Sequence, residues 1–353
     1  MKTAALLFLF LLLFCFSGEG ATIDKEIALG KKAAVDVEER WEVQSDPSLN
    51  ARLSMLLNRF LPLLERPLPY EIRVIRDEMI NAFSLPGGTI YFTTGIIDFL
   101  RTDGEIAAIL AHELIHADNA HVMIQTARSS KISLAGLLLL VASQGSVGPM
   151  ILTNLAQIAV TNSYSKDLER EADREGFRIL EEAGFPPAAM ITALEAMAYD
   201  QLKHPYFDAG VFMTHPELSE RIAYLLEIAR EKGFPVQRKI ALHLLRPSVV
   251  EEGERLILLL DGNPVWSVPR GIENTALLAE VSAKIDAFLQ METPPFEIQV
   301  LSLSGGKALR VGPALVAAEP LPSGAESLES FRTALVHSLG KARDTHPGAH
   351  YLR

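Results

Sequence analysis

Hydrophobic and polar positions divide the chain into a short apolar leader, a long mixed body and a C-terminal third of different pattern. The leader holds Lys2, the apolar run Ala4 to Phe16, then Ser17-Gly18-Glu19-Gly20. The run is shorter than the roughly 20 residues that cross a bilayer, and its flanks are those of a cleaved secretory signal. Residues 22–66 show helical spacing broken at Ser45-Asp46-Pro47. Glu71 to Arg76 alternates and predicts a strand, as does Thr89 to Thr94 after the turn at Pro86-Gly87-Gly88. A further helix runs through Ile106 to Ala117, opened by the capping pair Thr102 and Glu105. From Ile132 to Ser165 there is no charged residue. Its apolar pieces are each too short to span a membrane. Core helices, a lid, or a hairpin dipping into the membrane surface all fit 132–160, with core or lid favoured.

Glu217 to Lys232 reads as a helix, and Gly233-Phe234-Pro235-Val236-Gln237 marks a boundary. Beyond it two hairpins are expected, around Asp261-Gly262-Asn263 and Ser304-Gly305-Gly306, with helices over Thr275 to Gln290 and Ser327 to Leu339. The predicted organisation is a signal over 1–20, a main domain over 21–235 and a small α/β domain over 236–353, whose role and partner the sequence does not give. The fold class is α+β, mostly helical with a small sheet.

Hydrophobic residues make up 48% of the chain and charged residues 22%, which fits a folded protein. The net charge of -11 argues against nucleic acid and against a general attraction to anionic lipid. Cys15 is the only cysteine and falls in the leader. Phe14, bulky where a lipidation signal wants a small residue, argues against a lipoprotein. Once the signal is removed no disulfide is available.

The candidate chemistry sits in Ala111-His112-Glu113-Leu114-Ile115-His116. On a helix, residues four apart share a face, so His112 and His116 can hold one metal ion. Glu113 then stands beside it as the general base of a metal-assisted hydrolysis. Two histidines and a glutamate would be costly next to the apolar run Ile106 to Ala111 unless something paired them. Val122 stands where a metzincin has its third histidine, ten residues after His112. His121 lies roughly 140° around a continuous helix from His116, a poor ligand position, and reads as a neighbour of the site or a surface residue. The third ligand is expected downstream. Glu169, Ala172, Asp173 and Gly176 share one helical face, small and acidic, able to press against another helix. Glu171, Arg174, Glu175 and Arg178 form a charged outer face. Glu169 is therefore assigned as third ligand, and Asp173 as the carboxylate that holds a ligand imidazole by its free N–H. The expected cofactor is one zinc ion per chain.

These stretches also carry a resemblance. His112 to His116, together with Tyr164-Ser-Lys-Asp-Leu-Glu-Arg-Glu-Ala-Asp-Arg-Glu-Gly176, resembles the gluzincin metallopeptidase family of the CAAX prenyl protease, the HtpX heat-shock protease and the periplasmic β-barrel assembly-enhancing protease. Glu26 to Asp36 is similar to the helix that opens that domain. Asn81 to Gly95 is similar to its edge-strand motif, and Thr214-His215-Pro216 with Ser219 to Ile222 to its closing motif. Lys166 departs from the arginine that soluble relatives usually carry. The resemblance implies a zinc metalloendopeptidase acting on misfolded or stalled envelope proteins, exported to the periplasm of a bacterial envelope. It further implies that an edge strand, read as Thr89, Ile90, Tyr91 and Phe92, takes substrate as an added strand, with a purely structural strand as the alternative. It also implies that His215 can reach the metal, with a histidine that only caps or packs beside the Glu217 helix as the alternative. The tetratricopeptide array of the assembly-enhancing protease is missing from the C-terminal third. Two rival functions are a chaperone-like binding protein with an occluded or structural zinc, and a hydrolase acting on a small molecule or envelope polymer. Peripheral membrane contact through 132–160 stays open.

Overall fold

The computed structural model of the protein describes residues 22–137, 148–161, 164–203 and 218–346. The expected signal, with Cys15, and Thr214, His215 and Pro216 lie outside the described residues, as does 138–147 within the uncharged stretch. The chain divides into two compact units, residues 1–234 and 235–353.

The first unit is mostly helical. Helix α1 spans 22–40 and helix α2 spans Pro47–Phe60. They separate because Asp46 caps α2, accepting from the backbone N–H of Ser48 and Leu49 at 2.8 and 3.2 Å, with Pro47 in the first turn. Gly30 sets how closely α1 approaches the sheet. A Cβ there would lie 1.7 Å from the Pro86 carbonyl oxygen, so no other residue fits without displacement. Glu26, buried on the same helix, pairs with Arg66 and accepts from the Gly87 N–H at 3.3 Å.

Three strands follow, β1 (Glu71–Ile75), β2 (Ala82–Ser84) and β3 (Thr89–Thr93), in the order β1-β3-β2. β3 pairs parallel with β1, Glu71 opposite Thr89, and antiparallel with β2, Phe83 opposite Tyr91. Thr89, Ile90, Tyr91 and Phe92 are thus on the central strand, and the edge-strand expectation for them is corrected. Both backbone edges of β3 are engaged, and Ile90, Tyr91 and Phe92 are fully buried. The sequence pattern marks a half-buried strand but cannot place it in a sheet, because the parallel partner β1 is joined to it non-locally. The outer strand beside the helical layer is β2, from the Asn81 end of the same motif.

Helix α3 (Thr94–Phe99) follows β3 directly, capped by the Thr93 hydroxyl. Helix α4 (Asp103–Asp118) is capped by Thr102, which accepts from the Glu105 N–H at 3.2 Å, while Glu105 accepts from the Arg101 N–H at 3.0 Å. All but two of its residues are buried because it runs through the middle of the unit, between the sheet and the later helices. Then come α5 (His121–Ser129), α6 (Gly148–Val160), α7 (Lys166–Glu182), α8 (Ala188–Lys203) and α9 (Leu218–Glu231). α7 and α8 pack on α4, and α9 packs on α8 and α7. Within the uncharged stretch, Leu155, Ile158 and Ala159 of α6 join a core with Phe83, Tyr91 and Met123. Among the described residues no helix is long and apolar enough to cross a membrane.

The second unit begins with α10 (Arg238–Leu242) and holds two three-stranded antiparallel sheets, each followed by a helix. The first comprises β4 (Pro247–Glu252), β5 (Arg255–Leu260) and β6 (Asn263–Pro269), then α11 (Ile272–Phe288). The second comprises β7 (Ile298–Leu303), β8 (Gly306–Val311) and β9 (Ala314–Ala318), then α12 (Leu328–Thr345). Trp266 stacks flat on Phe331 in their shared core, rings 4.9 Å apart. Both hairpins read from the sequence are present. β4 and β9 add a third strand to each. β4 escaped sequence reading because nearly all its residues are exposed, which leaves no alternation to detect.

Candidate metal centre

His112 and His116 lie on the buried face of α4, and Glu169 enters from the first turn of α7. The close approach of the two helices explains their meeting. Ala172 is fully buried, and a Cβ on Gly176 would stand 3.2 Å from the His112 backbone nitrogen. The small residues on that face of α7 leave just enough room for α4. Glu169 and Asp173 therefore point inward, while Glu171 on the same helix is 51% exposed.

Nε2 of His112 and Nε2 of His116 are 3.0 Å apart. Glu169 Oε2 lies 3.6 Å from the first and Glu169 Oε1 lies 3.5 Å from the second. These separations bracket the ~3.3 Å edge of a tetrahedron built on metal–ligand bonds of about 2.0 Å. Nδ1 of His112 is 3.1 Å from Asp173 Oδ1 and donates to it, which leaves its Nε2 as a lone pair. A buried imidazole lone pair, a second imidazole nitrogen and a carboxylate converging in this way suit a borderline-soft divalent cation such as zinc. Among the described residues this is the one group of three such side chains close enough to share an ion.

Asp173 is held from the other side by Arg221 of α9. Arg221 Nη2 donates to Oδ1 at 2.6 Å and Nε to Oδ2 at 2.8 Å, a two-pronged contact. Its Nη1 lies 3.6 Å from Glu169 Oε2. Burial opposes the ionised form of Asp173, but Arg221 and His112 together hold its carboxyl well below the usual carboxylate range. The same contact raises His112 against the opposing effect of burial. Removing one partner from a buried pair of this kind costs roughly 3–5 kcal/mol. Arg221 is thus the residue that sequence reasoning missed. Its one signal was its place in the Ser219 to Ile222 stretch of the closing motif.

Glu113 is buried beside this group. Burial pushes its carboxyl up to about 8, with the Glu169 charge adding and His112 and Arg221 opposing. A cation at the three ligand atoms would favour its ionised form. Glu113 and His112 line a small cavity of about 20 Å³ together with Ala82, Ile96, Leu194 and Met197, enough for one water molecule.

His121 is also part of the centre. A continuous helix would turn it about 140° from His116, but α4 stops at Asp118. Ala120 takes the left-handed conformation, φ 53° and ψ 35°, and α5 restarts at His121. The break swings His121 back, and its Nδ1 reaches 2.9 Å from His116 Nδ1. Tyr164 stacks on the His116 ring at 4.0 Å. Thr89 to Phe92 do not line the cavity beside His112 and Glu113, and His215 lies outside the described residues.

Comparison with known proteins points the same way. The sequence profile of peptidase family M48 matches residues 47–229, more than half of the chain. The putative β-barrel assembly-enhancing protease of Vibrio cholerae serotype O1 is 29% identical over 237 residues, 65% of this chain and 48% of that protein. The β-barrel assembly-enhancing protease of Escherichia coli K12 is 26% identical over 253 residues, 69% of this chain and 49% of that protein. Mitochondrial metalloendopeptidase OMA1 of Schizosaccharomyces pombe is 31% identical over 161 residues, 45% of this chain and 47% of that protein. The chain spans about half the length of these curated relatives.

Proposed function

The chain belongs to peptidase family M48, and from that premise we propose that it is a zinc-dependent metalloendopeptidase. His112, His116 and Glu169 hold one zinc ion in this reading, and Asp173 and Arg221 hold the ligands in place. The observation that carries it is the convergence of two imidazole Nε2 atoms and a carboxylate within 3.0–3.6 Å, buried, with Glu113 alongside. Zinc bound there would polarise a peptide carbonyl and make water acidic enough to attack it near neutral pH. Glu113 takes the proton from the attacking water and delivers it to the leaving amine. Burial suits this role, since a carboxylate in an apolar pocket is a stronger base than one in water.

Substrate runs along β2 in this proposal, not along β3. Ala82 of β2 lines the cavity with His112 and Glu113, so an extended peptide beside β2 would bring its carbonyl to the base. The apolar side chains Ile96, Leu194 and Met197 around the same cavity favour a small apolar residue next to the scissile bond. His215 belongs to the proposal through its Thr-His-Pro context alone, as a residue that approaches the metal and restrains the resting enzyme. A zinc-bound structure with His215 far from the site would remove it.

The leader with Lys2 and the apolar run to Phe16 supports export. Two of the relatives are named for β-barrel assembly, which supports misfolded or stalled envelope proteins as substrates and the periplasm as the compartment. The test is proteolysis of an unfolded casein-type substrate by the protein lacking its leader. A zinc chelator is expected to abolish cleavage, and stoichiometric zinc to restore it. Cleavage that persists in fully chelated protein would contradict the reading.

A further inference from the structure

His112 has a visible reason to present Nε2 to a metal, because Asp173 takes the proton of its Nδ1. For His116 the neighbour at that nitrogen is a second imidazole. His116 Nδ1 faces Nδ1 of His121, 2.9 Å away, and both rings are buried. Two ring nitrogens at that distance share one proton, and two arrangements follow. In one, His116 donates from Nδ1 and keeps a lone pair on Nε2. In the other, His121 donates, and His116 carries its proton on Nε2. There it would bond to His112 Nε2 at 3.0 Å and be unable to bind a cation.

The far nitrogen of His121 separates these two arrangements. His121 Nε2 is buried, makes no hydrogen bond among the described residues, and lies 3.7 Å from Glu171 Oε2. That is an ion-pair distance, longer than a direct hydrogen bond. A carboxylate only accepts, so it favours a proton on Nε2 of His121. Nδ1 of His121 is then the lone pair, and His116 must be the donor. Glu171 is itself fixed by Asn119, whose Nδ2 donates to Oε1 at 2.9 Å. Tyr164, stacked on His116 at 18° between planes, sets the ring orientation in which this contact is made.

We propose that His121 and Glu171 are positioning residues that hold His116 in the tautomer with Nε2 open to the metal. Glu171 sits on the charged outer face of α7, yet it acts on the buried ligand through one imidazole. The proposal rests on the zinc-site reading above. The hydrogen-bond partner of a ligand histidine's other nitrogen typically carries about 10–100-fold of metal affinity.

The test has two readouts. Long-range nitrogen–proton NMR on metal-free protein with labelled histidine rings reads the tautomers directly. His116 is expected as the Nδ1–H form and His121 as the Nε2–H form. Zinc affinity is then measured by competition against a chromophoric chelator. His121→Leu is expected to bind zinc about 10–100-fold more weakly. His121→Asn, whose Oδ1 stands near the original Nδ1 and accepts, is expected to retain most of the affinity. Glu171→Ala is expected to bind at full stoichiometry but several-fold more weakly. His116 found as the Nε2–H form overturns the proposal, as does folded His121→Leu with wild-type affinity. If His121→Leu does not fold, Glu171→Ala decides, and unchanged affinity there overturns it. Wild-type protein that binds no zinc would instead count against the site reading, while the tautomers would still be read from the spectrum.

Discussion

Glu113→Gln is expected to lower kcat/KM for an unfolded protein substrate by about 10²–10⁴-fold, the usual contribution of a positioned general base, with zinc content and fold unchanged. The amide has nearly the same shape and stays in the same buried place on α4. It cannot take a proton from water, nor return one to an amine. Stability should not suffer, because the substitution removes a carboxyl whose charge burial already opposes. The comparison is informative because Glu113 adjoins His112 without belonging to the three converging side chains that could hold an ion. Proteolysis at the wild-type rate with zinc retained would sink the mechanism.

Glu169→Ala is expected to lose zinc on dialysis, while Glu171→Ala keeps it at one ion per chain. Removing a direct ligand should weaken binding by more than the roughly 100-fold upper figure for an outer partner. The contrast comes from the rotation of α7. Glu169 is buried with its oxygens 3.5 and 3.6 Å from the two imidazoles, and Glu171 points to solvent beside Asn119. Arg221 keeps its two-pronged contact with Asp173 in the Glu169 variant, so the fold is expected to survive. Zinc content would be measured by elemental analysis after dialysis, with circular dichroism as the control for folding. Loss from Glu171→Ala and retention in Glu169→Ala would mean that α7 is turned the other way.

The parts of this centre that were legible in the sequence depend on one helix at a time. His112 and His116 are one turn apart on α4, and the same period separates the inward face of α7 from its charged outer face. Gly176 and Ala172 could be read as a contact surface because the absence of a side chain means something on any helix. The illegible parts depend on where elements meet or stop. Arg221 finds Asp173 only once α9 packs on α7. β3 becomes a central strand only when β1 pairs with it in parallel. His121 reads from the sequence as a neighbour of the site or a surface residue, and what decides between them is the break at Ala120, a non-glycine residue in the left-handed region that no local pattern announces. In the second unit the two hairpins were visible through their turns, and exposed β4 was not.

The most direct test of the account is a zinc-edge anomalous difference map from crystals of the protein grown with one equivalent of zinc. One peak is expected, about 2.0–2.2 Å from His112 Nε2, His116 Nε2 and a Glu169 carboxylate oxygen. A peak that includes Glu171 in place of Glu169, or that lies away from the two histidines, would contradict it.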